Sequence, residues 1–268
     1  MSTLRRLVLL LALLAAPAAA APEPAPGDIV VTGRTRKMLQ DFVADLGDAG
    51  RKDQLARWNR EICPGVIGLE EQQAELVRGR IAAVARSVHL GGGGKGCRPT
   101  LLILFTPEAD RIASDLARRF PVTFGGEGRL RLNRFARTDK AVRWIAQSDL
   151  IGGALPNSRL TLATRAELQL MLIVVDGARI SGFSLGELAD YLAVVALAQP
   201  RFGGESQPAS ILAMFDQPRP AGAPFAMTDY DRAYLAGLYR APGNADADAQ
   251  QRSIVSSMEH SLGKKDGD

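Results

Sequence analysis

The sequence predicts an α+β fold, a mixed sheet with helices packed on it. Two continuous apolar runs, Thr100 to Phe105 and Leu168 to Val175, have the length and character of buried strands. Segments with helical spacing lie around them, and strands and helices mix without strict alternation. Apolar residues make up 46% of the chain, enough for a proper core and too many for global disorder.

The elements follow in order. Arg5 and Arg6 precede the apolar run Leu7 to Ala16, and Ala18-Ala19-Ala20 suits a signal peptidase, so residues 1–20 read as a secretory signal. That run is far short of the roughly 20 residues a membrane-spanning helix needs, and nothing later is long and apolar enough. Without Arg5 and Arg6 the chain carries 31 cations against 29 acids, a near balance that gives no reason to expect nucleic acid. Residues 21–34 form a Pro-rich linker containing Asp28-Ile29-Val30-Val31-Thr32-Gly33, a β-prone segment ended by glycine. A helix is expected from Met38 to Leu46 and a core strand from Trp58 to Ile67. Another helix spans Glu70 to Val88, where Val77, Ile81, Val84 and Val88 recur at helical spacing. Gly91 to Cys97 reads as a flexible loop. It is not a phosphate loop, because Lys95 is followed by Gly96 and not by Ser or Thr opening a helix.

Thr106-Pro107-Glu108 opens a helix through Arg119. Residues 129–145 read as strands, because Arg129 and Arg131 alternate with Leu130 and Leu132. The charges Arg129, Arg131, Arg134, Arg137, Lys140 and Arg143 then form a solvated face. Asp176-Gly177 makes a turn, and Gly186 to Ala198 is a helix apolar nearly all round, hence buried. A short helix near Ile211 to Phe215 and a capped one from Thr228 to Tyr239 complete residues 35–240 as one domain. Residues 241–268 read as a polar tail without fixed structure.

Two cysteines, Cys63 and Cys97, most simply form a disulfide in an exported chain, since their spacing matches no CxxC motif. Gly182-Phe183-Ser184-Leu185-Gly186 fits a G-x-S-x-G nucleophile elbow, which needs a histidine as base. Only His89, far upstream, and His260, in the tail, exist. The same residues form S-x-x-E, Ser184 with Glu187, directly before an apolar helix, and this is a capping box. His89, at a helix C-terminus, is electrostatically well placed without any catalytic role.

Gly186-Glu187-Leu188-Ala189-Asp190 resembles the HExxH helix of zinc metallopeptidases with both histidines replaced. Ser210-Ile211-Leu212 with Phe215-Asp216 resembles the Met-turn of metzincins, and Met227 to Tyr239 resembles the last helix of matrixin-type domains. The resemblance covers roughly residues 165–240. It implies a zincin-like scaffold that has lost its metal. Gly186, Asp190 and Ala196 stand where ligands belong, Leu212 stands at the Met-turn methionine, and Glu187 lacks a metal-bound water to activate. Asp28 to Gly33 resembles the TonB box of outer-membrane receptors, an extended segment that pairs with the TonB periplasmic domain.

The expected function is thus that of an exported, non-catalytic periplasmic binding or accessory protein. It engages TonB through Asp28, Ile29, Val30, Val31, Thr32 and Gly33, and uses no metal or cofactor. The alternative is a secreted hydrolase using Ser184 as an esterase or peptidase nucleophile, or Glu187 as the base of a divergent peptidase.

Overall fold

The computed structural model describes residues 33–47, 54–94, 96–121, 128–152, 158, 161–202, 206–216 and 218–263. The expected α+β class is observed. Four strands, β1 (Pro64–Ile67), β2 (Leu101–Thr106), β3 (Val142–Gly152) and β4 (Thr164–Asp176), form one mixed sheet in the order β1-β2-β4-β3. β1, β2 and β4 run parallel, and β3 runs antiparallel at the edge. The register sets Leu101 opposite Met171 and Val142 opposite Val175, with one shift between Gln147 and Ser148.

Both sheet faces are covered, which is why β2 and β4 read as continuous apolar runs and not as alternating ones. On one face Leu101, Ile103, Met171, Ile173 and Val175 enter the main core. α2 (Glu71–Ser87) and the nearly all-apolar α5 (Leu185–Ala198) pack against each other in that core. The residues between them, Leu172 and Val174, join Ile145 beneath α3 (Ala109–Arg119) and α4 (Arg129–Arg137) on the other face. α1 (Gly33–Leu46), α6 (Asp229–Arg240) and α7 (Ala247–Gly263) pack together, and a 3₁₀ turn, Ile211–Phe215, sits against α5.

Four expectations are corrected. Residues 129–137 are helical, because Leu132 and Phe135, three apart, meet Ala109 and Ala113 of α3, while Leu130 is left 63% exposed. Residues 247–263 of the expected tail are a helix, burying Gln250, Ile254, Val255 and Met258. Its apolar residues recur at helical spacing, but the polar residues between them lower the average enough to resemble a tail. It crosses α6 closely at Gly237, where an added Cβ would stand 3.1 Å from Ile254. The expected first strand shrinks to Pro64–Ile67, with only isolated bridges at Arg57 and Ile62 before it. Gly33 and Arg34 belong to α1, not to the linker, and residues 1–32 lie outside the described ones.

Cys63 and Cys97 form the expected disulfide, with Cα atoms 6.0 Å apart. It ties the start of β1 to the approach to β2, where Thr100 N and Leu101 N donate to Cys63 O. Within the glycine loop, Ile62 N donates to Gly91 O and Gly93 N to Ile62 O. No helix among the described residues is long and apolar enough to cross a membrane.

Candidate functional site

The start of α5 holds the residues with the strongest claim to chemistry. Ser184 is the N-cap: its side chain accepts from Glu187 N at 3.3 Å, and Glu187 Oε2 accepts from Ser184 N at 2.6 Å. Both side chains are engaged in satisfying amides that the helix itself leaves orphaned. No histidine approaches Ser184. His89 follows the end of α2 and His260 lies in the last turn of α7. We expect Ser184→Ala to cost about 1 kcal/mol of unfolding free energy, read by urea denaturation. Turnover of a generic ester should be the same for both proteins; a loss confined to the variant would restore the nucleophile reading.

The positions matching metal ligands are differently occupied. Gly186 is exposed and Ala196 is fully buried in the core. Asp190, one turn after Gly186, is buried and ion-paired with Arg80 of α2, and its Oδ2 accepts from Met227 N at 3.0 Å. It therefore binds two neighbours of α5 together. Leu212 is buried in the 3₁₀ turn. No group of three or more potential metal ligands occurs among the described residues.

Behind this, Asp231 of α6 makes a junction. It accepts from Ser210 Oγ at 2.6 Å, Ile211 N at 3.0 Å, and Thr228 N and Oγ1 at 2.9 Å each. The sequence indicated the local half of this, the Thr228–Asp231 capping box. Burial pushes the Asp231 carboxyl above the usual carboxylate value, against those donors.

A cleft of about 810 Å³ opens between the chain entering β3, the turn after β4 and the segment around the 3₁₀ turn. One wall is aromatic: Phe183 and Phe215 meet with tilted rings, centroids 4.8 Å apart, and the buried Tyr191 behind them meets Phe215 edge-on at 4.9 Å. The other is charged. Lys140 pairs with Asp216 at 3.1 Å, and Asp216 also accepts from Ser206 N at 2.8 Å. Arg179 pairs with Asp176 at 3.2 Å and Asp110 at 3.0 Å. Arg179 foremost, then Arg143, holds the Asp110 carboxyl below its usual value. The cleft thus offers an apolar wall beside charges already held in place by ion pairs, an arrangement suited to binding.

Two further outcomes concern the basic stretch. Its reading as a wholly solvated face is corrected at Arg143, which is fully buried and ion-paired with Asp110 of α3. Lys140, from the same stretch, lines the cleft; Asp216 and Arg179 join it from far along the chain, and no local pattern announced them. Of the expected partner segment, Asp28 to Thr32 lie outside the described residues, and Gly33 opens α1. Comparison with protein-family models, curated proteins and solved structures finds no match for this chain.

Proposed function

We propose that this chain is an exported, non-catalytic binding or accessory protein of the periplasm. It uses a degenerate zincin-like scaffold, seats a ligand in the cleft beside Phe183 and Phe215, and engages TonB through Asp28 to Gly33. The observation that carries the non-catalytic part is the reciprocal bond between Ser184 and Glu187. It commits the residues of both hydrolase alternatives to capping the start of α5. The ion pair of Asp190 with Arg80 supports the same reading, since it turns a ligand position of the resembling motif into a structural tie. The scaffold reading draws support from Asp231, which joins the segment resembling a Met-turn to the helix resembling the last helix of matrixin-type domains. Ile29, Val30, Val31 and Thr32 favour an extended chain, which suits pairing with a sheet edge.

The test is calorimetric titration of the protein with a TonB periplasmic domain. A variant lacking residues 28–32 serves as comparison, because it spares α1. We expect saturable binding that the deletion removes. Absence of binding in both proteins would defeat the TonB part of the proposal and leave the cleft to be tested alone.

A further inference from the structure

A second cleft, of about 270 Å³, lies where the C-terminal ends of α2 and α6 meet the segment before β1. Arg57, His89 and Arg240 line it, and no Asp or Glu does. Arg57 decides its character. Its side chain is buried, yet its hydrogen bond is from Nη1 to a neutral acceptor, Leu238 O, and no carboxylate pairs with it among the described residues. Burial foremost, and Arg165 nearby, both work against its charge, with Tyr239 opposing them. A buried cation without a counter-ion is unfavourable, and an incoming anion relieves that cost.

The two helix C-termini framing the cleft would repel an anion if their carbonyls were free. They are engaged. Ala85 O accepts from Val88 N and Leu90 N, Arg86 O from His89 N, Gly237 O from Ala241 N, and Leu238 O from Arg57. His89 itself has φ 61°, a left-handed conformation that glycine adopts without strain. The chain therefore places a potential cation at the mouth of this cleft in a position where glycine would be relaxed. A smaller cleft of about 170 Å³ between α2 and α6 adjoins it at Ser87 and adds Arg80 and Arg232. Those two are already paired with Asp190 and Asp229, so the uncompensated charge stays at Arg57 and Arg240.

We propose that this cleft binds a small oxyanion, the phosphate or carboxylate group of a small molecule, with Arg57 as buried anchor and His89 and Arg240 at the rim. Asn59, Ser87 and Tyr239 line the same cleft with further polar groups. Its volume falls just below that of sites for drug-sized ligands, which favours a compact anion.

The experiment titrates inorganic phosphate and, separately, succinate into the full-length protein at constant ionic strength. It follows the Trp58 indole and His89 ring resonances by NMR. Arg57 caps α6, so the variant is His89→Gly with Arg240→Gln, which relieves the backbone strain and leaves Arg57 in place. Arg118→Gln with Arg119→Gln on α3 removes two cations elsewhere. We expect saturable binding of at least one anion, weakened about tenfold or more in the first variant and unchanged in the second. Preference between the two titrants identifies the group recognised. No saturable shift with either anion, or equal weakening in both variants, would overturn the proposal.

Discussion

Replacing Asp231 with Ala is expected to destabilise the protein by about 3–5 kcal/mol, the largest effect of any single substitution considered, because several donors lose their acceptor at once. The carboxylate accepts two bonds from the start of the 3₁₀ turn and two from Thr228, and it is buried, so water cannot replace it. Asp231→Asn should recover part of the loss, since its carbonyl can still accept from Ile211 N while Ser210 Oγ turns to accept from the amide. Urea denaturation of the three proteins measures this; a loss below about 1 kcal/mol for the Ala variant would show the junction to be dispensable. The pH dependence has a definite sign. Asp231 has a native pKa above the ordinary 3.8, so the native state holds its proton more tightly than the unfolded chain does. This group's contribution is full below 3.8 and lost as pH rises through the native value. Asp231→Asn should remove that slope.

Removing the disulfide, by Cys63→Ala with Cys97→Ala, is expected to cost about 3–4 kcal/mol through the released entropy of the unfolded chain. The bridge spans 34 residues of sequence. It encloses β1 and α2, so without it the unfolded chain gains freedom across both elements. The loop around the bridge supplies a second reading of the same contact. An added Cβ at Gly93 would stand 2.4 Å from Cys97 Sγ and 3.1 Å from the Cys63 Cα. Gly93→Ala should therefore be strongly destabilising with the disulfide intact and much milder without it. A double-mutant cycle in thermal or urea unfolding reads the coupling. Equal cost of Gly93→Ala in both backgrounds would mean that the glycine serves the Ile62 pairing and not the bridge.

The candidate sites divide by sequence distance. The capping box of α5 was legible because Ser184 and Glu187 are three residues apart, a spacing that a helix start converts directly into contact. The cleft was not legible, because Lys140, Arg179 and Asp216 come from three separate loops: the pairing of β3 with β4 brings the first two together, and the segment after the 3₁₀ turn supplies the third. Arg57 gave no signal at all. Its burial depends on the end of α6, some 180 residues later, and nothing local distinguishes it from a solvated arginine.

By itself the sequence determined the α+β class, the two central strands, the positions of α2, α5 and α6 and the cysteine pair. Each of these rests on local periodicity, a local cap or a count. Only the tertiary structure decided that β3 runs antiparallel at the edge, that residues 129–137 coil into a helix on α3, and that residues 247–263 pack as α7. It also turned Asp231 from a cap into a junction. In each case the deciding contact is long-range: a partner distant in sequence determines which face of an ambiguous segment can be buried, and the local pattern cannot specify it.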